Sequence, residues 1–87
     1  MIALTIYSRP GCHLCDDMKD LIRKVAQRIP LTLEDVDIYG DDALEERYGL
    51  EVPVLFVEGE RVASVRIAER ELLRVLQERA RRAGKAG

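Results

Sequence analysis

Asparagine and tryptophan are absent from this 87-residue chain, and it has only two cysteines, one histidine and one phenylalanine. Each scarcity excludes a class of protein. Two cysteines three positions apart cannot supply the several bridges of a small secreted disulfide scaffold. A closed zinc site begun by Cys12 and Cys15 would need two further Cys or His ligands, and only His13 is on offer, adjacent to one of the sulfurs. No metal is therefore expected. No apolar run approaches the ~20 residues that span a bilayer, and no signal-peptide pattern opens the chain. The expectation is a soluble, cytoplasmic protein with no membrane partner. With 47% apolar residues a core is available, so wholesale disorder is excluded, and the length fits one small domain.

Charge is unevenly placed. Residues 1–60 carry 6 Lys/Arg against 13 Asp/Glu, whereas residues 61–87 carry 8 against 3. The basic residues fall on a helical pattern mixed with Glu69, Glu71 and Glu78, with no aromatic interleaved for base stacking. A solvated helix face is expected there, and no nucleic-acid partner. Arginine outnumbers lysine 11 to 3 and asparagine is missing, which fits either heat adaptation or a genome that favours arginine codons.

Ile2 to Tyr7 is a short apolar run rich in β-formers, halted at Ser8-Arg9-Pro10-Gly11; it predicts a buried strand and a turn. Leu14, Met18, Leu21, Ile22, Val25 and Ile29 lie on one helical face, with Asp16, Asp17 and Asp20 early, Lys24 and Arg28 late, and Pro30 as the stop. Leu31 to Ile38 predicts a second strand whose alternation changes phase between Leu33 and Val36, the mark of an edge strand or a bulge. Asp41 is the expected N-cap of a short helix through Tyr48, stopped by Gly49. Val54–Val57 and Arg61–Val65 flank Gly59 as a hairpin. A last helix is predicted from about Ile67. Residues 1–78 form the expected domain, and 79–87 a basic tail expected to fray. The order βαβαββα makes an α/β fold, a mixed sheet with helices on both faces.

Cys12-His13-Leu14-Cys15 falls where the first strand's turn feeds the first helix. At a helix start, unpaired N–H groups and the dipole favour a thiolate on Cys12, and such thiols fall from about 8.5 to roughly 3.5–7.5. Cys15, one turn on, shares the apolar stripe with Met18 and Ile22, so it is expected to be buried and less acidic. A protonated His13 and the preceding Arg9 would add positive charge near Cys12, whereas Asp16 and Asp17 oppose ionisation of Cys15. Plain core packing fits Cys12 poorly, because it sits in a Pro-Gly turn outside the stripe.

Tyr7-Ser8-Arg9 leading into Cys12-x-x-Cys15, with Val52-Pro53-Val54 and Phe56-Val57-x-Gly59 downstream, resembles the glutaredoxins of the thioredoxin-fold superfamily. More narrowly it is similar to glutaredoxin-like proteins with a Gly-Cys-His-Leu-Cys active site, here Gly11 to Cys15. The resemblance implies a four-stranded mixed sheet flanked by three helices. It implies thiol–disulfide exchange, with Cys12 attacking and Cys15 resolving, and a cis Val52–Pro53 bond beside the bound thiol. Arg9, His13, Val52, Pro53, Ser64 and Arg66 are the candidate substrate-binding residues. The implied partners are a protein or small-molecule disulfide and a thiol reductant, glutathione among them, with a monomer doing the work and no organic cofactor.

Departures concern the substrate. The usual Thr-Val-Pro reads Glu51-Val52-Pro53, and the usual Gly-Gly followed by Asp reads Ala63-Ser64-Val65-Arg66. Arg66 reverses the charge that would meet the γ-glutamyl ammonium, which weakens the expected grip on glutathione. The carboxylate that thioredoxins carry on the strand before the active site has no match in Ile2 to Ile6. Two competing functions are an iron–sulfur carrier using Cys12 with external thiols, and a redox-silent interaction module.

Overall fold

The computed structural model describes residues 1–85. Its elements are β1 (Ile2–Ser8), α1 (His13–Ala26), β2 (Leu31–Asp37), α2 (Asp42–Tyr48), β3 (Val54–Val57), β4 (Glu60–Ser64) and α3 (Glu69–Lys85). The strands form one sheet in the order β2-β1-β3-β4, with β1 parallel to β2 and antiparallel to β3, and β3 antiparallel to β4. The central strands β1 and β3 are the most apolar, because they are covered on both sides.

Period-2 alternation divides the core into two layers. Ile2, Leu4 and Ile6 of β1 join Leu55 and Val57 of β3 on one face, packed by Met18, Ile22 and Val25 of α1 and by Leu72 and Leu76 of α3. The other face carries Tyr7, Val54 and Phe56 against Ile38 and against Leu44 and Tyr48 of α2. There Tyr7 stacks on Tyr48 with centroids 4.5 Å apart, and Phe56 meets both rings edge-on. Such aromatic packing gains about 0.5–1.5 kcal/mol per pair beyond burial.

Several expectations shift in detail. β2 is an edge strand, one of the two expected alternatives, and its ladder with β1 runs without a break from Ile2↔Leu31 to Ser8↔Asp37, so no bulge interrupts it. The phase change arises because Asp35, on the same face as Leu31 and Leu33, takes a slot beside α1. A register irregularity lies instead between β3 and β4, where Phe56 pairs with Arg61 and Leu55 with Ala63. Val62 is the extra residue, and it and Ala63 both pack on the larger core. The hairpin turns on Glu58 and Gly59, both at positive φ, the geometry of a two-residue type I′ loop.

Helix α1 ends at Ala26, three residues before Ile29, whose N–H still bonds to Val25 O at 3.0 Å. Asp41 caps α2 as expected, its carboxylate accepting from Leu44 N–H at 3.1 Å. Helix α3 starts at Glu69 rather than Ile67 and runs through Lys85, so it takes in residues 79–85 of the expected basic tail. Arg79 explains much of that persistence, since it ties the helix to Glu58 and Glu60 of the hairpin. The Glu78–Arg82 pair at 2.7 Å continues it one turn further. The rest of the expected tail, residues 86–87, lies outside the described residues.

Candidate functional site

The carboxyl end of β1, the amino end of α1 and the approach to β3 meet at one end of the sheet. Gly11 makes the turn possible with φ of 73°, a left-handed conformation that side-chain-bearing residues adopt at a cost. Cys12 then caps α1 in extended conformation, and its Sγ accepts the Cys15 N–H at 3.1 Å. Cys12 and Cys15 are joined as a disulfide across a Cα–Cα distance of 5.2 Å, inside the range such bridges occupy. Cys15 is 0% exposed, whereas Cys12 is only partly covered. The N–H that meets Cys12 Sγ is one of the unpaired donors of the helix end, placed to stabilise a thiolate once the bridge opens.

Opposite, Val52 precedes β3 and its bond to the buried Pro53 is cis. Ser64 closes β4 opposite Val54. Pro53 O accepts the Val65 N–H at 2.8 Å, which fastens the segment after β4 to the proline. Arg66 follows and is exposed. A groove of about 220 Å³ opens between this segment and α1, lined by Leu14, Met18, Leu21, Val65 and Ile67 with Asp17 and Arg66 at its edges.

The two other candidate residues are engaged away from the sulfurs. Arg9 turns toward α2 and pairs through Nη2 with Glu45. Gly49 leaves room for it: a Cβ there would stand 3.1 Å from Arg9 Nη2 and against the Glu45 carbonyl. His13 lies on the surface with Nε2 3.5 Å from Asp17, its own (i, i+4) neighbour. The structure thus brings Val52, Pro53, Ser64 and Arg66 to one side of the cysteine turn and directs Arg9 and His13 to carboxylates.

Sequence reasoning passed over a polar group behind the turn. Ser8 is 2% exposed, and its Oγ donates to Asp35 Oδ1 at 2.8 Å; Lys19 Nζ meets Asp35 Oδ2 at 2.7 Å. Burial raises the Asp35 carboxyl, but the hydrogen bonds from Lys19 and Ser8 and the charges of Lys19 and Arg23 outweigh it, so its pKa lies below the ordinary value. Ser8 continues the inward register of Ile2, Leu4 and Ile6, and Lys19 is four residues past Cys15. Those two spacings were the available signals. Among the described residues no group of three or more His, Cys, Asp or Glu could hold a metal ion, and no helix is long and apolar enough to cross a membrane.

A βαβαββα sheet with a Cys-x-x-Cys bridge at the amino end of α1 and a cis-proline across from it defines a thioredoxin-fold protein. Comparison with known proteins narrows this. Residues 3–77 match the glutaredoxin-like domain family (DUF836), and the chain belongs to that family. It is similar to the structural-genomics target protein XcR50 from X. campestris, with 33% identity over 86% of this chain and 96% of that one, at a TM-score of 0.75. It is also similar to protein Ne2328 from Nitrosomonas europaea, at 30% identity over 86% and 91% of the two chains, with a TM-score of 0.74. A mutant thioredoxin from Halobacterium salinarum shares the fold at a TM-score of 0.61, 24% identity and coverage of 88% and 73%.

Proposed function

We propose that the protein is a thiol–disulfide oxidoreductase acting through Cys12 and Cys15. The observation that carries this reading is the asymmetry of the pair: Cys12 is a partly exposed residue whose Sγ accepts the Cys15 N–H, whereas Cys15 is buried. In the dithiol form, the Cys12 thiolate attacks one sulfur of a substrate disulfide. The Cys12–S bond forms, the substrate S–S bond breaks, and the departing thiolate takes up a proton. Cys15 then gives up its proton and attacks Cys12 Sγ, which expels the second substrate thiolate and leaves the 12–15 disulfide. Two electrons and two protons pass to the substrate. An external thiol donor, of which glutathione is the simplest, returns them to the protein.

Val52 and Pro53 border the path by which the substrate sulfur reaches Cys12. Ser64 and Arg66 form the far wall. No metal or organic cofactor takes part, the substrate is a protein or small-molecule disulfide, and one copy of the chain in the cytoplasm is enough. Reduction of insulin or of a mixed disulfide tests the assignment. Cys12→Ser is expected to abolish turnover, and Cys15→Ser to accumulate a substrate adduct on Cys12 visible by mass spectrometry. Undiminished turnover by Cys12→Ser would overturn it.

A further inference from the structure

The segment joining β4 to α3 is held in a conformation that its residue opposes. Val65 has φ of 71°, the left-handed region, where a β-branched side chain is an outlier and glycine is at ease. Two hydrogen bonds hold it there. Val65 N–H donates to Pro53 O at 2.8 Å, and Arg66 N–H reaches back to Ser64 O, also at 2.8 Å, closing a three-residue turn about Val65. The backbone task of this turn would be met better by glycine, so the isopropyl group needs another reason. Its position supplies one. Val65 lines the groove of about 220 Å³ that it shares with Leu14, one of the two residues between the cysteines, and with Leu21 and Ile67. Strained residues of this kind cluster where a protein grips a ligand.

We propose that this groove is the specificity site of the exchange reaction, and that it takes an aliphatic side chain next to the reacting cysteine of a peptide disulfide, with Arg66 meeting a carboxylate beyond it. The proposal rests on the oxidoreductase reading and names its substrate class. Three observations select the occupant. The groove begins at Leu14, next to Cys15, and is walled by Val65, which is bonded to Pro53, so one end of it adjoins the cysteine turn. Five of its seven lining residues are apolar, Leu14, Met18, Leu21, Val65 and Ile67, and the cysteine of glutathione, flanked by a γ-glutamyl group and glycine, brings no side chain to cover them. Arg66 is exposed and in none of the ion pairs among the described residues, whereas Asp17 across the groove already faces His13. The free charge at the groove's edge is therefore positive and suits an acidic neighbour in the substrate.

Two synthetic peptides test this, each carrying one cysteine in mixed disulfide with a reporter thiol and differing only in leucine or serine beside that cysteine. The readout is the ratio of their kcat/KM values. The wild-type protein is expected to prefer the leucine peptide by about tenfold or more, the scale of discrimination an apolar pocket provides. Val65→Gly, which removes the wall and eases the backbone, is expected to bring the ratio below about threefold. A second variant works independently of the turn: Arg66→Glu should reverse a preference for an aspartate-bearing over a lysine-bearing peptide. Equal wild-type rates on the leucine and serine peptides, or a ratio unmoved in Val65→Gly, would overturn the groove assignment while Cys12-dependent turnover still upheld the oxidoreductase reading. Absence of Cys12-dependent turnover on every disulfide would overturn both.

Discussion

Replacing Asp35 by Asn tests whether the polar group behind the cysteine turn supports the fold. The amide keeps an oxygen for the Ser8 hydroxyl but removes the charge opposite Lys19. Two limits bracket the cost. An exposed ion pair contributes about 0–1 kcal/mol, and stranding a buried charge costs about 3–5 kcal/mol. This pair lies between them, because the Lys19 side chain is only 16% exposed whereas that of Asp35 is 44% exposed and screened by water. A loss of about 1–2 kcal/mol follows, or roughly 4–16 °C in Tm for a domain of this size. Urea denaturation of the oxidised protein, followed by circular dichroism, measures it. The dependence on pH carries a definite sign. The folded carboxyl has a lowered pKa, so its stabilisation is complete above the unfolded value near 3.9 and is lost as pH falls through the folded one. The gap between wild type and Asp35→Asn is therefore full at pH 7 and closes below about pH 4. In a Lys19→Met background the same substitution should cost less than about 0.5 kcal/mol, because its partner has gone. A gap equally wide at pH 7 and pH 3, or one unaltered by Lys19→Met, would refute the reasoning.

Two further substitutions probe the elements that hold the site. Asp41→Ala removes the cap that receives the Leu44 N–H and should cost about 1 kcal/mol, read from the same denaturation curves; a change under about 0.3 kcal/mol would show that the cap is idle. Gly49→Ala sets a Cβ against the Glu45 carbonyl and 3.1 Å from Arg9 Nη2. Overpacking of this kind costs about 1–3 kcal/mol, and an alanine variant as stable as wild type would mean that the α2 end moves freely.

Periodicity was enough for the architecture. The inward alternation Ile2-Leu4-Ile6, the stripe Met18-Ile22-Val25 and the hairpin about Gly59 each announce their element, because burial imposes a period of 2 on strands and 3.6 on helices. The cysteines were legible for a related reason: a Pro-Gly turn between a strand and a helix places Cys12 at the helix end and Cys15 on the buried stripe. Long-range polar pairing leaves no such trace. Spacing points Ser8 inward and puts Lys19 one turn past Cys15, but it names no partner for either, nor for Arg9, because Asp35 and Glu45 are brought to them by sheet register and helix docking. The persistence of α3 was hidden likewise, since Arg79 finds Glu58 and Glu60 only after the hairpin packs beside it.

Those long-range pairs also bear on how Cys12 would be activated in the proposed reaction. Charge counting near the cysteines recruits Arg9 and His13 as cations beside the sulfur. In the fold each faces a carboxylate, Arg9 at Glu45 and His13 at Asp17, so the Arg9 charge is largely offset before it reaches Cys12 and the imidazole of His13 is directed to Asp17. Asp17 and His13 are moreover well exposed, where water and salt weaken what remains. The donor that does meet Sγ is the Cys15 N–H, 3.1 Å away at the end of a 14-residue helix. A backbone donor has no side chain to mutate and no ionisation to lose with pH. In the proposed reaction, activation of Cys12 therefore draws on the Gly11 turn and the helix start rather than on Arg9 or His13.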